Sequence, residues 1–146
     1  MATDKFKLAR FIEAQEQVMP TVLAELRQGR KDTHWMWFVF PQLFGLGASP
    51  RASFYGIRNL DEARAYLAHP DLGCRLKECV ALVLGHQCVP ADEIFGTLDA
   101  LKFRSSMTLF AKASNDEPIF QSALDAFFGG EGDSATLSRL KKSRRS

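Results

Sequence analysis

The sequence predicts an all-α single domain, a multihelical bundle of six or seven helices with an irregular aromatic segment at about 32–58. Three observations carry this. Apolar residues recur at helical spacing through most of the 146-residue chain. Helix start and stop signals separate these stretches. No two segments alternate apolar and polar residues in the way that paired strands require.

The elements follow in order. Asp4 is a candidate cap for a first helix to about Gln15, with Leu8, Phe11, Ile12 and Gln15 on one face. A second runs from about Glu16 to Gln28, with Pro20 in its first turn, Val18, Val22 and Leu26 inward, and Gly29 as its stop. In the irregular segment, Asp32 or Thr33 could cap a helical turn. Residues 35–40 fit a buried strand equally well, and Pro41 pushes Phe40 towards an extended backbone. Pro50 opens a short helix carrying Arg51, Phe54 and Tyr55.

Asn59 with Glu62 three residues later is a helix start, with Ala63, Tyr66 and Leu67 inward and Pro70 as the limit. Asp71 is expected to cap a longer helix whose stripe is Leu72, Leu76, Cys79, Val80 and Val83, stopped by Gly85. After a turn at Ala91–Phe95, Thr97 should cap a helix from about Leu98 to Ala113, with Leu98, Leu101, Met107 and Phe110 inward. Asn115 or Asp116 opens the next, with Pro118 in its first turn and Phe120, Leu124 and Phe127 inward. Gly129-Gly130 stops it, and Asp133 or Ser134 starts a last short helix.

Length places one helical domain at 1–138. With 46% hydrophobic and 25% charged residues, the chain has the material for a core without staples. The net charge of +2 is uneven. Residues 139–146 hold Arg139, Lys141, Lys142, Arg144 and Arg145 without an acid, and are expected to form a basic, disordered tail. The rest has 14 basic against 17 acidic residues, which speaks against a general nucleic-acid binder. Three cysteines cannot all pair, no apolar signal region precedes the first helix, and no stretch is long enough to cross a membrane. A cytoplasmic setting is expected, and the oligomeric state is left open.

Chemistry concentrates in two stretches. Residues 34–42, His34-Trp35-Met36-Trp37-Phe38-Val39-Phe40-Pro41-Gln42, contain both tryptophans and two of the twelve phenylalanines. Such a run either plugs a core or walls a ligand. The second, from Asp99 to Phe110, puts Asp99, Lys102 and Ser106 at i, i+3 and i+7, with Ser105 beside them. Mid-helix serines gain little from the helix itself, which suits pocket lining. His34 and Asp99 are the candidate catalytic residues. Trp35, Trp37, Gln42, Arg51, Tyr55, Lys102, Ser105 and Ser106 are the candidate ligand contacts. The tryptophans would stack, Lys102 and Arg51 would meet negative charge, and Gln42 and the serines would hydrogen-bond. Cys79, His86 and Cys88 match no zinc spacing, so neither metal nor cofactor is expected. Phosphate-binding loops, dinucleotide fingerprints and nucleophile elbows are absent too.

Together the two stretches are similar to the paired motifs of a bacterial family, domain of unknown function 1810, whose members are often labelled "calpastatin". Tyr55-Gly56-Ile57, Glu62-Ala63, Tyr66-Leu67, Leu72-Gly73 and Arg75-Leu76 extend the likeness over about residues 5–130. The resemblance implies an all-helical domain and supplies no activity. Calpastatin-type protease inhibition is rejected on physical grounds: such inhibitors are disordered until bound, whereas this chain has 16 aromatic residues and capped amphipathic helices. A more distant likeness, in size and in Lys102-Phe103, is to helical N-glycosidase domains of NAD and ADP-ribose metabolism. The expectation is therefore a pocket for a small anionic, phosphorylated or nucleotide-like ligand between the two stretches, with enzyme status open. The rival is a non-enzymatic structural or interaction module whose aromatic run is a core plug.

Overall fold

The computed structural model describes residues 5–114 and 116–145, the last three as backbone only. Among these residues ten helices form, connected by short loops: α1 (Ala9–Glu16), α2 (Met19–Gln28), α3 (Met36–Val39), α4 (Pro50–Phe54), α5 (Leu60–Ala68), α6 (Pro70–Leu84), α7 (Ala91–Phe95), α8 (Thr97–Ala113), α9 (Ile119–Phe128) and α10 (Ser134–Arg145). The count exceeds six or seven because the turns at 36–39, 50–54 and 91–95 close into helices of four or five residues. One isolated parallel bridge, Leu43 to Ile57, ties the chain just after the aromatic run to the stretch that leads into α5.

Most boundaries follow from local chemistry. Gly29 (φ 76°) and Gly129 (φ 63°) end α2 and α9 in the left-handed conformation that favours glycine. Asn59 Oδ1 accepts from the Glu62 N–H at 2.9 Å to start α5. The stripe expected on α6 is buried in full.

Several details differ from the sequence expectation. The first helix begins only at Ala9, because Lys7 (φ 55°) turns the chain left-handed just before it. The proposed cap Asp4 lies outside the described residues, as does Asn115. Residues 36–39 are helical, which settles the choice between helix and strand. His69, not Asp71, caps α6: its Nδ1 accepts from the N–H groups of Asp71 and Leu72 at 3.1 and 3.3 Å. Helix α10 continues through the basic segment to Arg145 with Leu140 buried, so packing reaches beyond residue 138.

The largest correction concerns α8. Leu98 and Leu101, expected inward, are 74% and 55% exposed. The helix runs through the middle of the molecule, packing on α5, α7, α9 and α10. From Phe103 to Phe110 it is buried on nearly every side. A helix enclosed in this way has no single apolar stripe, so helical spacing assigns its faces poorly.

Helices α5 and α6 meet closely at Gly73, where a Cβ would overlap the Leu67 carbonyl oxygen. Backbone cannot move aside as a flexible side chain can. Gly73→Ala is therefore expected to lower stability by about 2–3 kcal/mol, measured by urea denaturation. A loss of less than ~0.5 kcal/mol would show that the two helices shift apart freely.

Candidate functional site

The two motifs meet. Phe40 and Phe103 pack edge to face with centroids 5.0 Å apart, and Phe95 stacks on Phe103 at 4.7 Å. Within the aromatic run the two tryptophans take opposite roles. Trp35 is buried (1% exposed), packs on Phe40 and donates its indole N–H to Glu25 Oε1 at 3.0 Å. It is a core plug with no face open to a ligand, contrary to the expected stacking role. Trp37, two residues on, is half-buried and faces outward. Arg51 and Lys102 each approach its ring, at 5.0 and 5.2 Å from the centroid. A separation of two residues in a short helix rotates a side chain by about 200°, so the neighbours cannot share a face.

Two cavities lie side by side here, and Trp37 lines the smaller. A slot of about 10 Å³ is lined by Met36, Trp37, Phe40, Gln42, Ala52, Tyr55 and Lys102. That is room for roughly one water. Beside it a groove of about 300 Å³ runs along the outer face of α8. Its walls include Gln42, Leu46, Leu98, Leu101, Lys102, Ser105 and Asp133, so Gln42 and Lys102 belong to both spaces. The groove is at the lower end of the size range for ligand sites.

Lys102 owes its position to a charge chain. Asp99 Oδ1 accepts from Lys102 Nζ at 3.1 Å, and Oδ2 accepts from Lys31 Nζ at 2.8 Å. Lys31 is nearly buried, donates also to the Thr33 carbonyl at 2.6 Å and lies 5.1 Å from the Trp35 ring. Burial works to raise the Asp99 pKa. Hydrogen bonds from Lys31 and Lys102, and their charges, outweigh it and hold the carboxyl below its ordinary value. With both oxygens engaged and the charge locked, Asp99 is placed to orient Lys102 rather than to exchange protons with a substrate.

The remaining candidates divide. Gln42, Tyr55 and Lys102 line the slot, Ser105 lines the groove, and Arg51 reaches them through Trp37. The Ser105 hydroxyl donates to the Leu101 carbonyl at 3.1 Å. Ser106 turns into the core, fully buried, with no hydrogen-bond partner for its Oγ among the described residues. The reason is the enclosed helix: one step of about 100° past Ser105 points inward. His34 is exposed and lines neither space. Among the described residues no group of histidine, cysteine and acids is arranged to hold a metal ion.

Sequence reasoning passed over three participants. Glu25 sits beside Val22 and Leu26 on the inner stripe of α2, a signal that was legible. Lys31 carried none. Asp133 is the carboxylate of the groove and also caps α10, accepting from the Thr136 N–H and hydroxyl at 2.9 and 2.7 Å. It read only as a helix start.

Fold and site define a class: a small all-helical domain in which a tryptophan segment and a lysine–serine helix share one groove. The chain belongs to the family described as protein of unknown function (DUF1810), whose profile matches residues 5–140. It is also similar to a solved structure, the conserved hypothetical protein Rv1873 from Mycobacterium tuberculosis. The identity is 52% and the TM-score 0.93, over 94% of this chain and 99% of that one. The comparison with curated proteins gave no match.

Proposed function

We propose that this domain binds a small phosphorylated or nucleotide-like ligand in the groove along α8, with Trp37 in the adjoining slot. The observation that carries this reading is the convergence of Lys102 and Arg51 on the Trp37 ring, beside a groove that Lys102 also lines. Two cations on one half-buried indole are held by ring and charge contacts that an anionic ligand could replace. Gln42 offers an amide edge and Ser105 a hydroxyl. If the bound ligand is turned over, the reaction class is N-glycosidase chemistry on an ADP-ribose-type sugar. Asp133 is then the carboxylate available to steady the positive charge that develops on the sugar ring. The free cysteines Cys74, Cys79 and Cys88 suit a reducing, cytoplasmic setting. No helix among the described residues is long and apolar enough to cross a membrane.

A thermal-shift screen with nucleotides, ADP-ribose and sugar phosphates tests this reading. Ligand at 100 times its Kd should add about 2.7 kcal/mol, and Lys102→Ala should abolish that gain. A flat screen at millimolar ligand sinks the proposal. The rival interaction module draws support from exposed Leu98 and Leu101, which give the groove an apolar wall fit for a protein side chain. Binding that survives Lys102→Ala but is lost in Leu101→Glu would favour that rival.

A further inference from the structure

A third cavity, of about 370 Å³, lies between the residues that precede α1 and the α4–α5 connection. It is lined by Lys5, Phe6, Lys7, Arg10, Ser53, Phe54, Gly56, Arg58 and Glu62, and shares none of these with the groove or the slot. Four of the nine are basic and one is acidic.

What matters is which charges are free. Arg10 engages all five of its N–H groups inside the wall. Its Nε donates to the Phe54 carbonyl at 2.8 Å. One terminal nitrogen donates to the carbonyls of Phe6 and Lys7 at 2.6 and 2.9 Å. The other donates to the Gly56 carbonyl at 3.2 Å and to Glu62 Oε2 at 2.7 Å. Glu62 Oε1 accepts in turn from the Arg58 N–H at 3.0 Å. Arg10 thus draws together the three segments that wall the cavity. It also engages four carbonyl oxygens and the one carboxylate that would otherwise repel an anion.

Lys5, Lys7 and Arg58 remain. Among the described residues none of their side chains pairs with a carboxylate. Lys5 and Arg58 rest on the rings of Phe6 and Phe44, at 5.4 and 4.8 Å. Lys7 is held in the left-handed region at φ 55°, and its carbonyl and that of Phe6 both point to Arg10. A residue other than glycine is seldom held in this conformation. Outside residues 139–146 the protein is acidic overall, so three cations around one cavity that pair with no carboxylate among the described residues are a local concentration rather than a general trend.

We infer that this cavity is an anion site for a small molecule bearing a diphosphate group. A phosphomonoester brings about two negative charges at neutral pH and a diphosphate about one more, which matches the three free cations. Exposed Phe54 at the rim offers a ring to the remainder of the ligand.

Isothermal titration of the full chain with inorganic pyrophosphate, at low salt, is the test. Pyrophosphate should bind roughly tenfold more tightly than inorganic phosphate, and the triple variant Lys5→Gln, Lys7→Gly, Arg58→Gln should weaken it by roughly tenfold or more. Glycine relieves the backbone at position 7, so Lys7→Gly alone is a second variant that keeps the fold. It should weaken binding about threefold. Circular dichroism confirms folding of both. No heat at millimolar pyrophosphate overturns the inference. So does a triple variant, or a Lys7→Gly protein, that binds as tightly as the parent. The same titration in Lys102→Ala, which disables the groove, isolates this cavity: pyrophosphate binding that is lost there belongs to the groove and overturns the inference.

Discussion

Arg10→Met is expected to lower stability by about 3–5 kcal/mol. Methionine keeps much of the side-chain volume, so the effect is electrostatic and not a cavity. It leaves the Glu62 carboxylate, 1% exposed, without its cation. It also leaves the carbonyls of Phe6, Lys7, Phe54 and Gly56 without the guanidinium donors that bind them. Arg10 further lies 4.3 Å from the Phe11 ring in the core. Urea denaturation measures the loss. The double variant Arg10→Met, Glu62→Leu should recover a large part of it, because removing both charges ends the unpaired burial. A single variant within ~1 kcal/mol of the parent would mean that water enters and solvates Glu62 readily.

The Arg10–Glu62 pair marks where the sequence ceases to be legible. The two residues lie 52 positions apart. Glu62 has a local explanation as the third residue of a capped helix, and Arg10 lies off the Leu8, Phe11, Ile12 and Gln15 face, where spacing names no partner for it. Helix α6 is the opposite case. It is buried on one side only, so its stripe Leu72, Leu76, Cys79, Val80 and Val83 could be read directly from spacing. The same spacing rule misassigned Leu98, Leu101 and Ser106, because α8 is surrounded.

The candidate site shows the same division. Gln42, Tyr55 and Lys102 line the slot with Trp37, and Arg51 and Lys102 lie over its ring. What the sequence did not reveal was which indole faces outward. That choice rests on a carboxylate in a different helix: Glu25 captures Trp35, and the chain direction then turns Trp37 towards Lys102. Core plug and ligand wall are thus two halves of one segment.

The consequence is that Glu25 controls the site from inside the fold, and Glu25→Gln tests it. The carboxylate accepts four hydrogen bonds, from the N–H groups of Asp32 and Thr33 at 2.8 and 3.1 Å, the Thr33 hydroxyl at 2.7 Å and the Trp35 indole at 3.0 Å. Glutamine has nearly the same shape: its amide oxygen can take the three N–H donors that Oε1 holds, and its nitrogen would face the Thr33 hydroxyl, which can turn to accept, so what is lost is the negative charge behind all four bonds. A loss of about 1–2 kcal/mol is expected by urea denaturation, because the neutral amide makes weaker hydrogen bonds than the carboxylate. Acidity should act on the same contact. Burial works to raise the Glu25 pKa, yet the bonds from Thr33, Asp32 and Trp35 outweigh it and hold the carboxyl below its ordinary 4.5. The unfolded chain therefore binds the proton more tightly. The stability that Glu25 contributes is whole above 4.5 and is lost as pH falls through the lower, folded value. In Glu25→Gln this part of the acid dependence should vanish, so the parent and variant stabilities converge as the pH drops below 4.5. Parallel curves would place the acid sensitivity elsewhere and remove Glu25 from control of the segment.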